Sequence, residues 1–221
     1  MKIVTVTATR RPHMWTNIVE RLEAQVRKPD LSVVLLHGLD VSRFGNRSRY
    51  IIKSMPPSAR LGEILNHGME LGAATGADLY CIWDDDDWYG PEYLAQVEAA
   101  YLAHPDAWLL GKHAYRTRWV DEPGRAEEFF AAPSADGRSH WLAGPTICVP
   151  ELRRREHGLA YRTDLSGPVD STLLQETAVR WNKAVGNPEP YTQFPPFYST
   201  GPDQFYLQRY SAQHDHHWKC P

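Results

Sequence analysis

Leu79-Tyr80-Cys81-Ile82-Trp83-Asp84-Asp85-Asp86-Asp87-Trp88-Tyr89-Gly90-Pro91 joins an apolar run directly to a block of aspartates. A short continuous apolar run with no polar alternation reads as a strand buried on both faces, the kind found in parallel sheets. Crowded carboxylates raise one another's pKa and oppose folding unless a cation compensates them. In open α/β sheets ligands bind beyond the carboxyl ends of the strands, which is where Trp83 delivers Asp84 to Asp87. Mg²⁺ and Mn²⁺ take oxygen ligands, often one or two protein carboxylates together with substrate phosphates. The stretch therefore predicts a site for Mn²⁺ or Mg²⁺ shared with a diphosphate. The alternative is a solvated acidic turn in which one Asp caps the helix that follows.

Upstream of this stretch, Ile3 to Ala8 form a β-branched run ending at Thr9-Arg10-Arg11-Pro12, and Trp15, Val19, Leu22 and Val26 recur at helical spacing. The helix ends before Pro29, and Leu31 to Leu36 is a second apolar strand, so the chain opens as a βαβ unit of a parallel sheet. Val41 to Ser58 is polar and irregular, with a short strand expected at Tyr50 to Ile52. Leu61, Leu65, Met69 and Gly72 share a helical face that stops near Gly76. Thr7 and Thr9, at the carboxyl end of the first strand, are placed for nucleotide contacts. Arg11 and Arg60 are candidates to meet phosphates.

Downstream, Gly90-Pro91 is expected to open a helix with Leu94, Val97 and Tyr101 on its inner stripe. Further strands are expected at Trp108 to Leu110, His113 to Val120 and Ile147 to Val149. Asp121 to Ser139, rich in charge, Gly and Pro, reads as an exposed loop over the site. Glu151 to Glu156 reads as a solvated, Arg-rich helix, and a last helix carries Leu173, Leu174, Thr177 and Trp181. Gly186 to Pro221 reads as a tail wrapping the core.

The 221 residues carry a formal net charge of -3, with 42% hydrophobic and 23% charged residues, the profile of an ordinary globular chain. That balance argues against a protein whose main task is gripping a nucleic acid backbone. Cys81, Cys148 and Cys220 have neither disulfide-framework nor zinc-finger spacing. No apolar run is long enough to span a membrane, and a cytoplasmic location is expected.

The chain resembles the family 2 glycosyltransferases of GT-A fold. Thr7-Ala8-Thr9-Arg10-Arg11-Pro12 is similar to their first strand and loop, and Leu61-Gly62 with Leu65-Asn66-His67-Gly68 to the helix before their motif strand. Trp83 to Leu94 matches the D-x-D strand end and the following helix, with Asp84 and Asp86 at the two D positions. The resemblance runs over roughly the first 110 residues. It implies an α/β, GT-A-like nucleotide-diphospho-sugar transferase fold with a mostly parallel central sheet flanked by helices. It also implies one domain, with residues 1–110 as the nucleotide-sugar-binding half and 111–221 as the acceptor side. After the second strand the chain reads Leu36-His37-Gly38-Leu39-Asp40 where the family has an Asp-rich turn, so the residues that hold the base do not carry over.

From this resemblance follow a metal held by Asp84 and Asp86 and a nucleotide-sugar donor, UDP-linked by expectation, contacted by Thr7, Thr9, Arg11, Arg60, Asp84 and Asp85. His216, spaced from Trp218 as in a His-x-Trp of some members, is a third metal ligand by the same route, against the alternative of a loose His-rich tail. Gly167-Pro168-Val169-Asp170 is similar to the segment bearing the base of inverting members. Asp170 is thus the candidate base, with a helix N-cap as its alternative role and Asp164 as the substitute. A glycan or other hydroxyl acceptor is implied, and a hydroxymethylated DNA base remains an alternative. His140 to Pro145 lie where the resemblance puts acceptor-facing residues. Trp88, Tyr89 and Trp141 are candidates to stack on a sugar ring, with a place in the core as the commoner role of such aromatics. A nucleotidyltransferase is the other enzyme reading, although Thr7 to Pro12 lacks the glycines of a phosphate loop. A catalytically silent carbohydrate- or metal-binding module is the non-enzymatic one.

Overall fold

A computed structural model describes residues 1–45, 47–119, 124–131, 134–135, 138–139, 142–165, 169–187, 197–199 and 205–209. The chain runs through β1 (Ile3–Thr9), α1 (Trp15–Ala24), β2 (Leu31–His37), β3 (Tyr50–Met55), α2 (Leu61–Ala73), β4 (Leu79–Ile82), β5 (Trp88–Tyr89) and α3 (Tyr93–Ala103). It continues through β6 (Leu109–Gly111), β7 (Ala114–Trp119), β8 (Glu128–Ala131), β9 (Ser134–Ala135), β10 (Arg138–Ser139) and β11 (Cys148–Pro150). Then come α4 (Glu151–His157), α5 (Val169–Ala184), β12 (Phe197–Ser199) and β13 (Phe205–Arg209).

Among the described residues the larger sheet has the order β3-β2-β1-β4-β11-β6-β12-β10-β9. Its first four strands are parallel, and β11 lies antiparallel between β4 and β6. Alternation along β1 explains the layering. Val4 and Val6 pack with Ile64, Leu65 and Met69 of α2, while Ile3 packs with Ile18 and Leu22 of α1 on the other face. Both faces of the central strands are covered, as their unbroken apolar runs require. A second sheet, β5-β13-β7-β8, starts one residue after the aspartate block.

Glycines set how closely α2 approaches. A Cβ on Gly72 would lie 2.7 Å from the Tyr80 ring, and one on Gly62 would lie 2.9 Å from the Arg162 carbonyl carbon. Asn66, between them, receives the Tyr161 N–H at 2.9 Å and donates to the Tyr161 carbonyl at 2.8 Å. The loop leading to α5 is thereby fastened to the helix that precedes β4.

Several expectations are corrected. Asp121 to Ser139 is not one exposed loop: residues 128–131 form β8, paired antiparallel with β7. The tail after Gly186 contributes a strand to each sheet. Pro91 lies in the turn before α3, which starts at Tyr93, because the Tyr93 N–H first closes a turn onto the Gly90 carbonyl at 3.0 Å. β3 extends to Met55, since its ladder with β2 continues to His37.

Candidate active site

β4 is fully buried and ends at Ile82, so the chain emerges beyond the sheet at Asp84. An aromatic block supports the exit. Trp83 stacks on Tyr89 with ring centroids 3.9 Å apart, and Tyr93 closes on both edge-to-face. The Asp84 N–H donates to the Tyr89 hydroxyl at 2.9 Å, and that hydroxyl donates to the Pro145 carbonyl at 2.8 Å. Tyr89 is therefore a buried brace for the aspartate loop. It is not a platform for a sugar, which corrects that expectation.

Each aspartate has a different environment. Asp85 is almost wholly buried; its carboxylate accepts from the Thr9 hydroxyl and from the Arg11 guanidinium, with Nε at 3.1 Å, while Asn17 donates to its backbone carbonyl at 2.7 Å. The same guanidinium reaches Asp86 through Nη1 at 2.9 Å. Asp85 thus anchors the loop to β1 and α1. Oxygens of Asp84, Asp86 and Asp87 lie within 4.8 Å of one another. Burial, then the charges of Asp86, Asp170 and Asp85, hold the Asp84 carboxyl well above the ordinary carboxylate range, with Arg11 opposing. Hard oxygen donors crowded around an excess of negative charge suit Mg²⁺ or Mn²⁺.

Asp170 comes from the other half of the chain. It is the second residue of α5, so it is a first-turn residue and not the N-cap. A helix N-terminus favours a carboxylate, yet burial pushes the Asp170 carboxyl up to about 6. Gly144 makes room for it: a Cβ there would sit 2.7 Å from the Asp170 Cγ. Gly144 adjoins Pro145, whose carbonyl holds Tyr89, so one short segment touches both the aspartate loop and Asp170.

The remaining candidates divide. Thr7, two residues before Thr9 on β1, has a buried hydroxyl without a hydrogen-bond partner among the described residues. Arg60 is exposed at the start of α2 and donates to the Thr163 carbonyl at 3.4 Å, beside Asp164 rather than the aspartates. Asp164 is exposed, paired with Arg162 and lowered to about 2 by it, which makes it a weak base. Asp40 accepts from Ser42 N–H at 2.9 Å and caps the 3₁₀ turn of residues 41–43. His216, His140, Trp141, Gly167, Pro168 and Cys220 lie outside the described residues. Sequence reasoning left Asp87 off the ligand set and placed Gly144 only among the acceptor-facing residues; nothing in the local pattern pairs Gly144 with Asp170.

No protein-family model matches the chain, and no curated protein matches it. Solved structures do. Residues 1–349 of TarS from S. aureus, in complex with UDP-GlcNAc, superpose with a TM-score of 0.68 at 13% identity, over 97% of this chain and 60% of that one. The UDP complex of the same protein gives 0.66 at 14%, over 95% and 61%. The fold is the GT-A glycosyltransferase fold. The mannosyltransferase PcManGT from Pyrobaculum calidifontis, in complex with GDP-Man and Mn²⁺, gives 0.58 at 14%, over 96% and 58%. The chain thus spans about three fifths of the length of these GT-A relatives. The β3-β2-β1-β4 order, with Asp84 to Asp87 leaving β4, is assembled from the first half of the chain.

Proposed function

We propose that the chain is a metal-dependent glycosyltransferase of the family 2 type, moving a sugar from a nucleoside diphosphate donor, UDP-linked, to an acceptor hydroxyl with inversion. The observation that carries this reading is the convergence of Asp84, Asp86 and Asp87, their oxygens within 4.8 Å, with a fourth carboxylate whose charge acts on Asp84. It is supported by likeness to structures solved with UDP-GlcNAc and with GDP-Man and Mn²⁺.

Asp84 and Asp86, with Asp87, would hold Mn²⁺ or Mg²⁺; when bound, the ion supplies Lewis-acid stabilisation of charge on the leaving diphosphate. Asp170 takes the proton from the acceptor hydroxyl. With its carboxyl at about 6 it is ionised at neutral pH and more basic than an ordinary aspartate, the condition a general base needs. Arg11 keeps the loop in place through Asp85 and Asp86, and the buried Thr9 hydroxyl does so through Asp85, so Thr7 and Thr9 support the donor side from beneath. His216 as a further ligand and Arg60 as a phosphate contact belong to the same proposal. So does the division into a donor half, 1–110, and an acceptor half, 111–221, of one domain.

No helix among the described residues is long and apolar enough to cross a membrane. We assign a cytoplasmic setting, in keeping with Cys81 and Cys148 standing as free buried thiols. The experiment is a screen of donor hydrolysis over nucleotide sugars with and without Mn²⁺. The wild type releases nucleoside diphosphate only with the metal, and Asp86→Ala does not. Metal-independent release, or nucleotidyl transfer in place of sugar release, counts against the reading.

A further inference from the structure

Immediately after Asp87 the chain enters the smaller sheet, and one row of that sheet faces outward. Trp88 of β5 pairs with residue 206 of β13, residue 206 with Arg116 of β7, and Arg116 with Phe129 of β8. The neighbouring positions Tyr89 and Tyr115 pack into the core, so Trp88, Arg116 and Phe129 take the opposite face. Phe129 is 56% exposed, high for an aromatic ring. Cations flank the row at both ends: the Arg21 guanidinium lies 5.9 Å from the Trp88 ring centroid and that of Arg116 5.4 Å from the Phe129 centroid. Beside it, half-exposed Arg118 donates to Glu127 at 2.9 and 3.0 Å, and the other oxygen of Glu127 is 4.0 Å from Arg116.

We propose, building on the glycosyltransferase reading, that this row is the track along which the distal sugars of an oligosaccharide acceptor lie. Three strand spacings give a path of about 14 Å leading away from the aspartates, long enough for a short oligosaccharide. Flat rings suit the apolar faces of sugar rings, as they suit any ligand with one apolar and one polar side. Glu127 adds an acceptor between the two guanidinium donors of Arg116 and Arg118. Donors and acceptors side by side are what a chain of hydroxyls needs, since each hydroxyl both gives and takes a hydrogen bond.

The test is a printed glycan array probed with the full chain as wild type, Phe129→Ala, Phe129→Trp and Arg116→Ala, with Mn²⁺-dependent hydrolysis of the donor to water read in parallel. The wild type retains oligosaccharides; Phe129→Ala and Arg116→Ala weaken retention by roughly tenfold or more, and Phe129→Trp restores it. No saccharide retained by the wild type, or equal retention by Phe129→Ala, overturns the proposal. So does retention only of single-stranded DNA that is lost in high salt. Intact donor hydrolysis with unchanged array binding removes the track alone. Absent hydrolysis with Phe129-dependent glycan retention removes the transfer reading and leaves a glycan-binding face.

Discussion

Asp170→Asn separates the chemical role of this carboxylate from its cost to the fold. The group titrates at about 6 in the folded chain against 3.8 when unperturbed, and burial is the cause. A raised carboxyl favours the folded state fully below pH 3.8 and loses that contribution as pH rises through about 6, because the folded chain then carries a buried charge. At about 1.4 kcal/mol per unit of pKa, the ceiling at pH 8 is about 3 kcal/mol. Partial exposure of the residue reduces this to about 1.5 kcal/mol as a working value. Asparagine has nearly the same shape and no charge to bury. The variant should therefore match the wild type near pH 4 and exceed it at pH 8, by about 3–6 °C in Tm for a chain of this size. Thermal unfolding in EDTA across that range is the assay. Transfer should fall by roughly 10²-fold or more in the same variant, while wild-type transfer should rise with pH through about 6. Equal pH dependence of stability in the two proteins would refute the assignment of a carboxyl raised by burial.

Arg11→Ala removes the guanidinium from Asp85, which is only 4% exposed, and leaves a buried carboxylate without its cation. A loss of about 2–4 kcal/mol in urea unfolding is expected, with Asp85→Asn recovering part of it in the double variant. Gly144→Ala drives a methyl against the Asp170 carboxylate. Transfer should drop while the thermal shift given by UDP and Mn²⁺ is retained, and unchanged transfer would separate Gly144 from the base.

The first half of the chain was readable because each element declares itself locally. Ile3 to Thr9 is largely β-branched, Val19 and Leu22 mark the buried stripe of α1, which ends at Ala24 and leaves the expected Val26 exposed, and the run from Leu79 to Trp83 has no charged residue to disguise a buried strand. The second half depends on partners distant in sequence. β8 was hidden because Phe129 and Phe130 are adjacent, one on each face of an edge strand, and a charged flank with Gly and Pro masks the alternation. The tail strands are short and draw their pairing from β6, β5 and β7 rather than from their own pattern. Within the site, the aspartates were visible as a cluster but their roles were not. Asp85 differs from Asp84 only in facing Thr9 and Arg11, a contact made across 74 residues of chain. Likewise Tyr89 reads equally as a sugar platform or a core ring until its stacking on Trp83 is seen.

The electron paramagnetic resonance of Mn²⁺ tests the central claim most directly, since the six-line signal of the free ion falls as the ion is bound. With UDP present, the wild-type chain should remove most of that signal, and Asp84→Asn/Asp86→Asn should leave it at the level of UDP alone. A signal equally reduced by both proteins, or by neither, would contradict a metal held between these carboxylates and a diphosphate.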